Sequence, residues 1–317
     1  MFNVIIIGDC CFDTFIQIQQ AKLLESTKEK MLCLNYGSKI PINKIRVSMG
    51  GNAANVSVSL NKLGLKVGIY TILGDDEKGE QIYQKIKKEK IDTKFIKKEK
   101  NSKTNCSFII NFKGDRTALV YHQPRKYFLP KLDKTEWIYL TSLGENHGKF
   151  HQQIIDLQKK KKIKVAFNPG TYQLKTGFKK IEKIFKITTI LFVNKSEAQF
   201  LVKEAINKDV EENKELLKIL KNYGPQVVVI TQGRAGVWAY DGKEFFKMSA
   251  FAGPKVDVTG AGDSFASGFL AGFIYQKDVK QALKWGIINS SFVIRKIGAQ
   301  EGLLKKQEMI KVLKNNS

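Results

Sequence analysis

Short apolar runs alternate with amphipathic stretches along most of this chain, and that rhythm limits its fold more than any other feature. Residues 4–7, 52–63, 67–73 and 80–86 read as strand, helix, strand and helix. The pattern resumes with a strand at 137–140, a helical stretch near 150–158, strands at 165–167 and 188–193, a helix from about Ser196 and a strand at 227–230. Strands that are apolar throughout must be covered on both sides, so repeated βα units predict an α/β fold with a mostly parallel sheet between helices. At 317 residues the chain is long enough for two domains, yet it can also close around one large sheet.

Two regions break the alternation. Residues 32–49 carry no βα rhythm, and 106–122 reads as a hairpin turning at Lys113-Gly114-Asp115. Strands outside the rhythm suggest a small β element beside the main sheet, so we expect one domain over 1–317. A β lid would be drawn from about 32–49 and part of 106–122. A further hairpin spans 236–248, with Asp241-Gly242 at its bend.

The net charge of +24 raises the question of nucleic acid. Only five of the 54 basic residues are Arg, however, whereas bidentate recognition of phosphates and bases favours Arg. The Lys residues are dispersed, with local runs at 85–90 and 159–162 that fit solvated helix faces or turns. No nucleic-acid partner is therefore expected. Four Cys without a Cys-x-x-Cys pair support neither a disulfide framework nor a zinc knuckle and suit a reducing, cytoplasmic setting. No apolar stretch approaches the roughly 20 residues of a membrane span, so no membrane partner is expected either.

Three segments carry chemistry. Asp257-Val258-Thr259-Gly260-Ala261-Gly262-Asp263 precedes a helix of small residues, 266–273. Glycines ahead of a helix let the backbone approach a ligand closely, and the free N–H groups there form an anion site. Asp263 would sit in the first turn, where the helix dipole alone also favours a carboxylate. Beside a phosphate cradle the same carboxylate could accept a hydroxyl proton. The second segment, Gly50 to Gly64, places Gly51 and Asn55 at another helix start, which could be purely structural. The third is Asp13, just beyond the first strand, where α/β sheets bind ligands at strand carboxyl ends; a loop cap is the plainer alternative.

Taken together, residues 50–64 and 257–263 resemble the two signatures of the ribokinase family, or PfkB-type carbohydrate kinases. The landmarks Asn194-Lys195-Ser196-Glu197 and Thr231-Gln232-Gly233 follow strands in the family's order, so the resemblance covers essentially the whole chain. It implies a ribokinase-like fold, a mainly parallel central sheet flanked by helices with a small β-sheet lid. The implied reaction moves the γ-phosphate of ATP, with Mg2+, to a hydroxyl of a small neutral sugar. A nucleoside kinase and then a sugar-phosphate kinase are the alternatives. The non-enzymatic alternative is a relative that only binds a ligand or nucleic acid. By the same resemblance Asp263 is the catalytic base and Gly260, Ala261 and Gly262 the anion hole. Asp13, Gly51 and Asn55 would hold the acceptor, while Asn194, Glu197, Thr231 and Gly233 would serve nucleotide and magnesium. Asp257 and Thr259 match positions that bind a monovalent cation such as K+ in many members, but Gly302 stands where ribokinase has a hydroxyl ligand. Exposed strand edges of the lid could pair in a homodimer.

Other features invite functional readings that their details oppose. Gly144 to Lys149 is one residue short of a Walker loop and lacks its Ser or Thr. His147 and His151 have helical metal spacing but no third ligand nearby, and are expected at an exposed helix start. Phe269, Phe273 and Tyr275 are expected in the core, and Arg125 in a solvated loop.

Overall fold

The computed structural model describes residues 1–25, 30–113, 115–251 and 253–315. Nine strands form the main sheet in the order Phe245–Met248, Val237–Tyr240, Val227–Thr231, Ile190–Asn194, Lys164–Phe167, Thr135–Leu140, Phe2–Ile7, Val67–Gly74 and Ile96–Glu99. Every neighbouring pair is parallel except the two involving the hairpin Val237–Tyr240 and Phe245–Met248. That hairpin bends at Asp241-Gly242 as expected, with Gly242 at φ +97°.

The apolar strands are buried on both sides because successive side chains point to opposite faces. Val4 and Ile6 join one core with Trp137 and Tyr139, while Ile5 and Ile7 join a second with Ile138 and Leu140. The first core is closed by the helices Asn52–Lys62, Ala261–Gln276 and Val279–Val293; the second is closed mainly by Gly148–Lys161, Phe178–Phe185, Lys195–Ile206 and Asn213–Asn222. Both lysine runs read from the sequence end helices: Lys85, Lys87 and Lys88 close Glu77–Lys88, and Lys159, Lys160 and Lys161 close Gly148–Lys161. Cations are favoured there by the helix dipole. Among the described residues no helix is long and apolar enough to cross a membrane.

A separate small sheet has the order Ile42–Gly50, Cys11–Ile18, Cys106–Phe112 and Asp115–Tyr121. Its last two strands are the expected hairpin; Gly114 of the turn lies outside the described residues. The strand Ile42–Gly50 comes from the expected 32–49 region. The strand Cys11–Ile18 was not anticipated, and it carries Asp13, so the alternative of a loop cap at that residue is set aside. Two short strands, Lys22–Glu25 and Lys30–Cys33, pair beside it.

Two other expectations fail on burial. His147 and His151 are 2% and 3% exposed and serve as interior hydrogen-bonding groups, His147 Nδ1 with the Gly144 carbonyl and His151 Nε2 with Gln173 Nε2. Burial lowers the pKa of both, that of His151 to about 3, so they are held neutral. Arg125 is 2% exposed and donates to Glu99, Ser102 and the Lys103 carbonyl, so it pins a buried junction and is not solvated.

Candidate active site

The helix Ala261–Gln276 begins directly after Gly260, which adopts φ +75° as its N-cap. A side chain there would press within 2.4 Å of the Ala299 methyl, so both the backbone angle and the space call for glycine. The first-turn carboxylate of Asp263 points inward and is buried. Asn52 Nδ2 donates to its Oδ1 at 3.0 Å and Asn55 Nδ2 to its Oδ2 at 2.8 Å. Gln300 Nε2 in turn donates to Asn55 Oδ1 at 2.9 Å and to the Met49 carbonyl at 3.1 Å, which fixes the direction of the Asn55 amide. Burial pushes the Asp263 carboxyl up to about 7; the two amide donors oppose that shift, and the nearby charges of Asp13 and Glu197 add to it. A carboxyl so tuned can take a proton near neutral pH.

Asp13 approaches from the small sheet. Cys11 Sγ donates to its Oδ1 at 3.0 Å, and its carboxyl is raised by burial against hydrogen bonds from Cys11 and Ser107 and the charge of Arg116. Gly50 makes room for it, because a Cβ at that position would fall 1.8 Å from Asp13 Oδ2. Gly51 caps the helix Asn52–Lys62 and packs on the backbone of Asp9 and Cys10. Of the three residues expected on the acceptor, Asn55 is occupied with Asp263, Gly51 caps the helix Asn52–Lys62, and Asp13 lies on the small sheet near enough for its charge to raise the Asp263 carboxyl, although neither Asp13 nor Gly51 lines the two cavities at the Gly260-Ala261-Gly262 turn.

Two cavities meet at the Gly260-Ala261-Gly262 turn. The larger, about 320 Å³, is lined by Asn194, Thr231, Gly233, Val237, Lys255 and Ile287 among others. The smaller, about 290 Å³, is lined by Asn52, Arg116, Ser142, Asn168, Glu197, Gly260 and Asp263 among others. Asn194, Thr231, Ala261 and Gly262 belong to both walls. The expected nucleotide-side residues thus gather around one end of the helix, although their strands are scattered in sequence.

Asn194 and Glu197 also form a reciprocal cap, each side chain accepting from the other's backbone N–H at 2.9 Å. Among the described residues no cluster of three His, Cys, Asp or Glu could hold a metal ion by itself. A magnesium ion suits this arrangement if water and phosphate supply most of its ligands, since Mg2+ keeps much of its hydration. The expected monovalent-cation position fits less well. Asp257 is occupied by protein donors on both oxygens, and a Cβ on Gly302 would lie 2.3 Å from the Phe292 carbonyl, so no hydroxyl side chain has room there.

Asn52, Gln300, Ser142 and Arg116 were not singled out from the sequence as site residues. Asn52 alone offered a signal, as the first residue of the glycine-led helix; the others arrive from distant segments that only the fold brings together.

Residues 4–306 match the family described as pfkB family carbohydrate kinase, and the chain belongs to that family of kinases acting on sugar or nucleoside hydroxyls. An uncharacterized sugar kinase of Archaeoglobus fulgidus is 28% identical over 257 residues, covering 78% of this chain and 98% of that protein. The fold is shared with the nucleoside kinase of Methanocaldococcus jannaschii, at a TM-score of 0.79 and 21% identity, covering 99% of this chain and 98% of that one. It is shared also with Arabidopsis thaliana ribokinase, solved with ribose and ATP, at a TM-score of 0.81 and 17% identity over 99% of each chain.

Proposed function

We propose that this kinase transfers the γ-phosphate of ATP to a hydroxyl of a small neutral sugar, with the small sheet closing as a lid over the acceptor. The observation that carries the reading is Asp263, a buried carboxylate held by two amides in the first turn of a helix that opens on two cavities. Asp263 accepts the proton of the attacking hydroxyl. The N–H groups of the Gly260-Ala261-Gly262 turn and the helix N-terminus hold the charge of the transferring phosphoryl group. The nucleotide lies in the larger cavity along Asn194, Thr231 and Gly233. Asn194 and Glu197 are the residues that would hold a magnesium ion, which would supply charge neutralisation on the phosphates.

A neutral acceptor is favoured by the charges at the smaller cavity. Among the described residues its lining contains Asp263, Glu197 and several amides but a single cation, Arg116. A phosphorylated acceptor calls for bidentate Arg or paired cations, and Arg125 is engaged elsewhere. The small sheet also presents exposed Val47, Phe108 and Leu119 as one cross-strand row, which suits a homodimer through this sheet.

The test is ADP release with ATP and a panel of neutral sugars, nucleosides and sugar phosphates. Turnover should be greatest with a neutral sugar. Turnover confined to a nucleoside or to a phosphorylated sugar would overturn the acceptor assignment.

A further inference from the structure

Asp257 stands three positions ahead of Gly260 and controls how the anion-hole turn is held. Its Oδ1 accepts from the Thr259 backbone N–H at 2.9 Å and from the Thr259 hydroxyl at 2.7 Å, and its Oδ2 accepts from the Gly298 N–H at 2.9 Å. The preceding backbone is tied to the same neighbouring loop, because the N–H groups of Val256 and Asp257 both donate to the Ile294 carbonyl. Arg116 reaches this turn from the small sheet. Its Nη1 lies 3.6 Å from Asp257 Oδ1 and donates to Thr259 Oγ1.

We propose that Arg116 is a positioning residue whose guanidinium serves as the fixed cation of the anion-hole turn, so that this kinase needs no monovalent metal ion. A mobile cation beside Asp257 would have two tasks: to join the 257–259 segment to the 294–302 loop, and to neutralise a carboxylate close to incoming phosphates. Here the Gly298 and Ile294 hydrogen bonds perform the first. Arg116 performs the second, and its planar fork suits a carboxylate beside a hydroxyl better than a point charge does. The position expected to give a hydroxyl to an ion is Gly302, where there is no room for one.

The origin of Arg116 adds a further property. Arg116 pairs with Asn111 across the hairpin, and the register places Asn111, Ser107 and Asp13 on the same face of the small sheet. Asp13, the residue expected on the acceptor, and Arg116, the residue that steadies the turn, therefore belong to one sheet and move as one body. With its side chain 37% exposed, the Arg116–Asp257 pair adds little to stability. Its effect is to set the turn only when the small sheet lies over the cleft.

The proposal rests on the kinase reading, and its test separates the two. Rates are compared in choline chloride, NaCl and KCl at equal ionic strength for the wild type, Arg116→Ala and Arg116→Lys. The wild type should give rates equal within about twofold in all three salts. Arg116→Ala should lose about ten- to a hundredfold in kcat, as expected of a misplaced reacting group, with smaller changes in both KM values. Methylguanidinium should restore part of that rate, and Arg116→Lys should fall between. A wild type strongly activated by K+, an unchanged kcat in Arg116→Ala, or a loss confined to the KM for ATP would overturn the proposal; the last would make Arg116 a phosphate ligand. Amide hydrogen exchange over 256–263 provides a readout without turnover. Exchange should be indifferent to K+ in the wild type, faster in Arg116→Ala and slowed again by methylguanidinium. If no acceptor were phosphorylated, the kinase reading would fail, while exchange unaffected by Arg116→Ala would still overturn the role given to Arg116.

Discussion

The nine-stranded and four-stranded sheets solve different problems with the same kind of strand. In the large sheet Phe2–Ile7, Val67–Gly74 and Ile190–Asn194 are almost wholly buried, and the phosphate-side groups stand at the ends of that frame. In the small sheet Ile42–Gly50 is exposed along most of its length, yet it flanks the strand that carries Asp13. On the proposed reading, phosphoryl chemistry that must hold its geometry rests on a strand frame packed on both faces. On the same reading the acceptor is met by Asp13 from a sheet whose edge strand is exposed, where residues can change without opening a core.

The largest test of that division is Asp263→Asn. The amide keeps the shape of the carboxylate but cannot act as a base, so turnover should fall by about 10² to 10⁴ while ATP affinity is retained. Near-normal turnover would remove Asp263 from the mechanism. The same group predicts a pH dependence. With its folded pKa raised to about 7, activity should climb as pH rises through 7. Stability should move the other way. A carboxyl raised on folding contributes stability below its unfolded pKa, and that contribution is lost as pH rises through about 7. Melting of Asp263→Asn against the wild type at pH 5 and pH 8 should show the variant gaining relative stability at the higher pH.

The large sheet itself is probed by Ile138→Ala. Ile138 is fully buried, and its loss should cost about 2–5 kcal/mol in denaturant unfolding. A cost below about 0.5 kcal/mol, the level of ordinary surface changes, would contradict a frame packed on both faces.

On the small sheet, Asp13→Ala should raise the acceptor KM by about ten- to a hundredfold, the loss of a charge-assisted hydrogen bond, and leave the KM for ATP nearly unchanged. Gly50→Ala should reproduce much of that effect without touching the carboxylate, since the new methyl would occupy the space of Asp13 Oδ2. Equal effects on both substrates would move Asp13 off the acceptor side. Smallest of all should be Ile45→Ala, at 65% exposure, which should shift stability by less than about 0.5 kcal/mol.

The same contrast explains what could be read from sequence. The strands of the large sheet announce themselves as apolar runs, because both faces are buried, and the turn at Gly260 to Gly262 announces itself through glycines ahead of a helix. Cys11–Ile18 mixes Cys, Asp, Thr and Gln with Phe and Ile, so no apolar run marked it as a strand. Arg125 and the two buried histidines failed for another reason: a polar residue type gives no sign that Glu99, Gln173 or a carbonyl will be waiting inside. Arg116 and Gln300 reach the site across more than a hundred residues of chain, a distance that no local pattern spans.

Alternation along Phe2–Ile7 sends Ile5 and Ile6 into two cores that do not mix. Neighbours in the gene are therefore strangers in the fold. Compensation for a substitution at Ile5 would have to come from its own layer, which holds Tyr70, Ile138 and Phe150, and not from Ile6, so the two layers can be repacked separately.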